Sequence, residues 1–372
     1  MSERDHYYMG QALELALQGR GLASPNPLVG AVLVRDGRVV GRGVHRFGQR
    51  KHAEVWALEQ AGDQARGATL YVNLEPCCHQ GRTGPCCGAI VDSEIARVVV
   101  AMRDPNPLVA GKGMEWLTSA GLQVTAGVRE DEARRLNEAY SKYISSRKPF
   151  VTAKVGATLD GRIAAAGGPH QWITSPESRQ RVHRMRLEAD AILVGIGTVL
   201  EDDPYLTDRS GQPRTRPLLR VVLDSRLRLP LDSRLASSRD QGDIIVFCGR
   251  RPNEDRRNEL EQAGIEVIPT AETGGRICFG PVLEELGRRR VIGLLIEGGA
   301  TINFETLRSR VIDKLVCFLA PRILGGRAVA MFGGAGFPGL DQAPPLAFSR
   351  VERIGPDLMI EAYPNPSGPA SD

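Results

Sequence analysis

His52-Ala53-Glu54 and, further along, Glu75-Pro76-Cys77-Cys78-His79-Gln80-Gly81-Arg82-Thr83-Gly84-Pro85-Cys86-Cys87 decide how this chain is read. One imidazole and two thiolates fill three corners of a tetrahedral zinc site and leave the fourth to a water that the metal makes acidic. Glu54, two residues beyond the imidazole, is placed to take that water's proton and pass it to a leaving amine. The ordered pair of His-x-Glu and Pro-Cys therefore points to hydrolytic deamination at a zinc centre. Spacing does not separate Cys77 with Cys86 from Cys78 with Cys87, because both pairs span the same interval. Whichever pair is not ligating is expected to be buried as small apolar residues. A closed four-cysteine structural site would leave Glu54 without a task and would require two sequence-adjacent pairs of thiols on one ion. His79 is a competing ligand by type, and its setting reads as a polar loop.

With 372 residues, 42% of them hydrophobic and 25% charged, the chain exceeds one ordinary domain and has the profile of a soluble globular protein. No apolar run approaches bilayer length, and no apolar core follows Met1-Ser2-Glu3-Arg4-Asp5, so a reducing cytoplasm with unpaired cysteines is expected. Four of the seven cysteines lie within 77–87, marking a site and not a disulfide framework. A formal charge of +4 without a basic block implies neither a nucleic acid nor a membrane as partner, and suits a phosphorylated small molecule. A homo-oligomer is left open. The polar, proline-rich end, residues 365–372, is expected to be disordered.

Working outward from the motif, Met9, Ala12, Leu13, Ala16 and Leu17 recur at helical spacing, and Gly19 to Gly21 stop that helix. Residues 29–34 and 39–43 read as strands joined at Asp36-Gly37. A helix carrying His52, Glu54 and Ala57 follows, then a strand at 68–74, the cysteine loop, a helix near 88–93 and a strand at 97–102. Residues 122–125 read as a further strand and 131–145 as one helix, with the domain boundary after it. Beyond it, strands are expected at 150–155, 191–194, 219–223, 244–248, 292–296, 315–319 and 358–362. A helix at 176–187 is capped by Ser175. The alternation implies two layered α/β domains, 1–147 and 148–364. Two glycine-rich strand ends, Val194-Gly195-Ile196-Gly197-Thr198 and Ile296-Glu297-Gly298-Gly299-Ala300-Thr301, fit phosphate or nucleotide binding as well as ordinary strand-to-helix turns.

The segment 75–86 is similar to the one found in the deaminase domain of bacterial bifunctional riboflavin-biosynthesis enzymes. Leu159-Asp160-Gly161-Arg162, Gln171-Trp172-Ile173-Thr174-Ser175-Pro176, the stretch from Gly197 to Pro204, Leu223-Asp224-Ser225 and Glu297-Gly298-Gly299 resemble successive blocks of that family's reductase domain. With Pro25-Asn26-Pro27 and Asp104-Pro105-Asn106-Pro107, the resemblance runs from the first helix to about Tyr363. It implies a cytidine-deaminase-like layered α/β/α domain followed by a dihydrofolate-reductase-like α/β domain, with Zn2+ and NADPH as cofactors. It favours His52, Cys77 and Cys86 as zinc ligands and Glu54 as the catalytic acid and base. NADPH would meet Gly156, Trp172, Thr198, Asp202, Ser225, Gly299, Ala300 and Thr301. The phosphorylated pyrimidine substrate would meet Asn26 and His45 in the first domain, and His170, Arg186, Leu206, Arg209 and Glu297 in the second. At His170 the family is expected to carry serine. Without the resemblance, Arg186 reads as a solvated helix face, Trp172 reads equally well as core, Asn106 reads as a turn residue and His183 as a helix-surface residue.

Overall fold

The computed structural model describes residues 2–79, 84–167 and 171–364. The chain divides into two compact units, residues 1–147 with 213–216, and residues 148–212 with 217–372. His170 and residues 365–372, both of which carried sequence expectations, lie outside the described residues.

In the first unit, strands β1 (Gly30–Arg35), β2 (Arg38–Val44), β3 (Thr69–Leu74), β4 (Arg97–Met102) and β5 (Gln123–Ala126) form one sheet in the order β2-β1-β3-β4-β5. β1 runs antiparallel to β2 and β3, while β3, β4 and β5 are parallel. The turn between β1 and β2 is Asp36-Gly37, with φ of +51° and +78°, the left-handed pair that matches the twist of a two-residue hairpin. The helices are α1 (Glu3–Leu17), α2 (Ala53–Ala61), α3 (Cys86–Asp92), α4 (Lys112–Ser119), α5 (Glu130–Leu136) and α6 (Glu138–Ser146).

Two glycines show how closely the helices lie on this sheet. A Cβ on Gly30 would stand 2.2 Å from the Ala12 carbonyl oxygen of α1, and one on Gly43 would stand 1.9 Å from that of Ala53 in α2. Gly43 pairs with Ala31, the neighbour of Gly30, and successive strand residues face opposite sides. α1 and α2 therefore cover opposite faces, which gives the three layers. Residues 131–145 form two helices and not the single one expected, with the break at Asn137. Its Oδ1 accepts from Leu28 N at 2.8 Å and its Nδ2 donates to Leu28 O at 3.0 Å, so this side chain pins the entry to β1. The helix expected at 88–93 begins earlier, at Cys86.

The second unit contains β6 (Phe150–Thr158), β7 (Arg162–Ala164), β8 (Ala191–Gly195), β9 (Leu219–Leu223), β10 (Ile244–Cys248) and β11 (Glu266–Pro269). These are followed by β12 (Glu272–Thr273), β13 (Arg276–Ile277), β14 (Gly293–Ile296), β15 (Lys314–Ala320), β16 (Val329–Ala330), β17 (Leu346–Ile354) and β18 (Asp357–Pro364). Its helices are α7 (Pro176–Glu188), α8 (Ile196–Asp202), α9 (Arg234–Ser237), α10 (Glu254–Gln262), α11 (Phe279–Arg288) and α12 (Ala300–Arg308). The main sheet has the order β11-β10-β9-β8-β14-β6-β15-β18-β17; it is parallel through β15 and antiparallel at β18 and β17. Ile192, Val194, Val222 and Val246 pack in one apolar cluster, while Leu193, Val221, Ile245 and Phe247 pack in another. Successive residues thus feed the two faces, which is why these strands read as unbroken apolar runs. Ser175 caps α7 by accepting from Ser178 N at 3.2 Å. No helix among the described residues is long and apolar enough to cross a membrane.

Substituting Gly43→Ala forces a methyl group against the α2 backbone and should destabilise the first unit by about 2 to 3 kcal/mol, an overpacking cost. Urea unfolding should show this loss, together with weaker zinc retention because α2 carries His52; unchanged stability would contradict the packing described.

Candidate active sites

His52 is the residue that caps the start of α2, held in extended backbone at φ −81° and ψ 167°. Its Nδ1 lies 3.1 Å from Cys86 Sγ and 3.5 Å from Cys77 Sγ. Cys77 follows the end of β3, and Cys86 opens α3, donating its backbone N–H to Cys77 Sγ at 3.3 Å. The three donor atoms lie within 4.8 Å of one another. The neighbouring cysteines point elsewhere: Cys87 Sγ faces the carbonyl oxygens of Pro76 and Gly113, and Cys78 Sγ is directed to that of Leu108. Among the described residues the donor atoms that converge are those of His52, Cys77 and Cys86, and His79 is not part of the cluster.

The electrostatics of this cluster fit a zinc ion. Hydrogen bonds from the Cys86 thiol and from His52 draw the Cys77 thiol below its ordinary range, whereas Cys86 is pushed up by donating to Cys77 and by burial. The pair thus favours ionisation at Cys77, and a bound dication would favour it at both sulfurs. Glu54 lies in the first turn of α2 and is buried, which raises its carboxyl above the usual range. Among the described residues its Oε2 has no hydrogen-bond partner, an orphaned buried oxygen of the kind that a metal-activated water would satisfy. Asn26 Nδ2 lies 2.9 Å from His45 Nε2. His45 is buried, in contrast to the polar setting its sequence suggests, and burial lowers it to about 4, so Nε2 accepts from the amide. Its ring meets that of His52 edge-on at 5.2 Å, which places Asn26 and His45 beside the cluster.

Glu75 was quoted in the motif but given no role by sequence reasoning. Its carboxylate accepts backbone N–H bonds from Asp104 at 3.1 Å, Gly111 at 2.9 Å, Gly113 at 3.0 Å and Met114 at 3.2 Å. It therefore ties the end of β4 and the start of α4 to the strand end that delivers Cys77. Asn106 behaves as a turn residue, donating its N–H to Asp104 Oδ1 at 2.8 Å and accepting from Leu108 N at 3.1 Å.

In the second unit, Trp172, Thr198, Asp202, Ser225, Gly299, Ala300 and Thr301 line one cleft of about 740 Å³. Both glycine-rich strand ends do open helices, with Gly195 capping α8 and Gly299 capping α12. Trp172 is exposed on this cleft with the Arg179 guanidinium 5.1 Å from its ring centre, which removes the core reading. Gly156 is not a wall residue of the cleft; it lies in β6, where a Cβ would stand 3.3 Å from Thr174 Cγ2.

Glu297, immediately after β14, anchors the neighbouring charges. Arg186 donates Nε to Oε1 at 2.6 Å and a terminal nitrogen to Oε2 at 3.1 Å, and Lys154 Nζ lies 3.0 Å from Oε2. Arg186 is thus no solvated helix residue; it forms a bidentate fork and also donates to Thr207 O at 2.9 Å. Burial opposes ionisation of Glu297, but the charges of Arg186 and Lys154 outweigh it and hold the carboxyl well below 4.5. His183, one turn before Arg186, is partly buried and not a plain surface residue; burial and the nearby Arg186 lower it. Arg209 stacks on Tyr205 at 5.2 Å. Leu206 has φ of +53° and a buried side chain in the core, so only its backbone is available to a ligand. Lys154 was missed in the sequence, although a lysine within the apolar strand 150–155 is itself a signal, since lysine is rarely buried unless paired.

A zinc-type donor set with a buried carboxylate, joined to a parallel α/β unit with a glycine-lined cleft, defines the class of bifunctional deaminase and reductase enzymes. Residues 2–102 match the cytidine and deoxycytidylate deaminase zinc-binding region, and residues 149–360 match the RibD C-terminal domain. A riboflavin biosynthesis protein RibD from Aquifex aeolicus is 42% identical over 359 residues, covering 96% of this chain and 98% of that one. The solved structure of Acinetobacter baumannii RibD, form 1, is 38% identical with a TM-score of 0.85, covering 98% of this chain and 99% of that one. A diaminohydroxyphosphoribosylaminopyrimidine deaminase/5-amino-6-(5-phosphoribosylamino)uracil reductase from Thermotoga maritima is 34% identical with a TM-score of 0.84, covering 97% of this chain and 99% of that one. The chain belongs to the RibD family, the bifunctional deaminase and reductase of riboflavin biosynthesis, which uses Zn2+ and NADPH.

Two outcomes follow from this geometry. Cys77→Ser and Cys86→Ser should each lower bound zinc to well below one equivalent by atomic absorption, whereas Cys78→Ser and Cys87→Ser should retain it; the reverse pattern would reassign the ligands. Because Glu297 is held below its unfolded value of 4.5, its contribution to stability is fully present above about pH 4.5 and is lost as pH falls below it. Wild-type stability should therefore fall more steeply with acid than that of Glu297→Gln, read as unfolding midpoints between pH 5 and pH 3; parallel curves would contradict the ion-pair assignment.

Proposed function

We propose that residues 1–147 form the deaminase domain and 148–364 the reductase domain, with the residue roles that follow. His52, Cys77 and Cys86 hold the zinc, and Glu54 moves the proton. The substrate of the first site is 2,5-diamino-6-ribosylamino-4(3H)-pyrimidinone 5′-phosphate. Zinc, when bound, supplies the acidity that lets water lose a proton near neutral pH. Glu54 accepts that proton and delivers it to the departing amine, so that one water is consumed and one ammonia released. Asn26 and His45 orient the pyrimidine beside Glu54. The observation that carries this reading is the buried, unpartnered Glu54 Oε2 beside three converging donor atoms.

In the second site the ribosyl group of the deaminated product is reduced to ribityl, giving 5-amino-6-(5-phosphoribitylamino)uracil. NADPH supplies the hydride when bound in the cleft lined by Thr198, Asp202, Ser225 and residues 299–301. Trp172 closes one wall of that cleft, and Gly156 lets the neighbouring Thr174 approach β6. Glu297 holds Arg186 in a fixed orientation, so that Arg186 and Arg209 meet the sugar phosphate with little reorganisation. Leu206 contributes its backbone to the same pocket, and His170 is assigned there from the family resemblance. A cytoplasmic location is in keeping with cysteines that are free at every position.

Glu54→Gln tests the first assignment. The variant should bind zinc and unfold like the wild type while ammonia release falls by roughly a thousandfold or more, as loss of a general acid and base implies. NADPH-dependent reduction of previously deaminated substrate should persist. Undiminished ammonia release would remove Glu54 from the mechanism.

A further inference from the structure

The cleft of the second unit contains three arginines, Arg228, Arg276 and Arg322, none of which the functional reading above has used. Their order across the sheet gives them different positions along a bound dinucleotide. From β6 towards β9, the strands run β6, β14, β8, β9. Lys154 and Glu297 mark the substrate end, on β6 and at the end of β14. The two glycine turns follow β14 and β8, where backbone N–H groups suit a pyrophosphate. Ser225 and Arg228 follow β9, about 10 Å from β14 at the usual strand spacing. A dinucleotide with its nicotinamide towards Lys154 and its pyrophosphate on the glycine turns therefore lays its adenosine half at Arg228. Arg322, which follows β15, lies at the other end.

Arg276 reaches the Ser225 and Arg228 end from the β12–β13 hairpin: Gly249 donates its N–H to Ser225 O at 3.2 Å, and a Cβ on Gly249 would stand 2.6 Å from Glu272 Oε2, which sets the hairpin beside Ser225. Arg276 begins β13, after the left-handed pair Gly274 and Gly275, and forms an ion pair with Glu305 of α12. Glu305 is already compensated by Arg308, which donates to its Oε2 through Nε at 2.9 Å and a terminal nitrogen at 2.6 Å. The Arg276 charge is thus positioned without being fully neutralised. Arg228 is only loosely paired, its Nε standing 3.9 Å from Asp224 Oδ1, and its side chain is half exposed. Two cations with spare donors, facing the place where an adenosine would lie, suit a phosphate dianion.

We propose that Arg228 and Arg276 bind the adenosine 2′-phosphate and so set the preference for NADPH over NADH. This rests on the reading of the cleft as the NADPH site. The discrimination arises because NADH leaves both cations in the cleft without the anion that they are placed to meet.

Isothermal titration of the full-length, zinc-loaded protein with NADPH and with NADH tests this without relying on turnover. Arg228→Gln and Arg276→Gln should each weaken NADPH binding by about tenfold, and together by on the order of a hundredfold, with NADH affinity changing less than about twofold. Matching thermal melts of the variants, whose substituted side chains are about half exposed, would exclude misfolding. An unchanged NADPH preference in the double variant would overturn the assignment, as would its loss in Arg322→Gln instead. If the wild-type protein binds neither dinucleotide, the cleft is not the NADPH site, and the proposal fails with that reading.

Discussion

Two thiols and an imidazole held within 4.8 Å of each other form the constraint around which the first unit is built. Such a cluster is electrostatically unbalanced once the sulfurs ionise, and a dication is the group that balances it. The chain delivers the three donors from a helix start, a strand end and a second helix start. Each must therefore be fixed by backbone and not by flexible side chains. Gly41 and Gly43 let α2 rest directly on β2, where Cβ atoms would stand 2.0 and 1.9 Å from helix carbonyl oxygens. Glu75 fixes the other side with four backbone hydrogen bonds. The proton shuttle proposed for Glu54 would depend on this rigidity, because the carboxylate has to stay close to one position of the water as the proton moves.

The second unit solves a different electrostatic problem in a similar way. A substrate phosphate calls for cations, yet cations left unpaired in a protein interior are costly. Glu297 pairs with Arg186 and Lys154 at the end of β14, beside the turn that opens α12, an arrangement that would meet this requirement in the proposed phosphate site. The same strand thus ends in the ion-pair anchor and continues into the glycine turn that lines the cleft. Both sites sit where strands of an α/β sheet release into loops, the place where polar groups escape the ladder and point outward.

Much of this was legible because it depends on local chemistry. His52 and Glu54 are defined by residue type and order, and Asp36-Gly37 specifies its turn by the φ values those residues tolerate. The parallel strands were visible as short apolar runs because both of their faces are covered. β17 escaped notice since most of it is exposed at the sheet edge, which leaves no buried face to imprint a pattern on residues 346–354. The break at Asn137 was hidden because its cause is a contact with Leu28, more than a hundred residues earlier. Arg186 was ambiguous among several arginines of α7 until the fold brought it to Glu297. Which two of the four cysteines converge on His52 likewise needed three dimensions, since Cys87 differs from Cys86 only in the direction that α3 turns it.

The central claim is that one chain carries two chemistries acting in sequence on one phosphorylated pyrimidine. Its most direct test is mass spectrometry of the diaminopyrimidine ribosylamine phosphate after incubation with zinc-loaded protein, with and without NADPH. Exchange of an amine for oxygen without the dinucleotide, with two hydrogens gained only when NADPH is added, is the expected result. Gain of hydrogen on the unexchanged substrate, or no change under either condition, would contradict it.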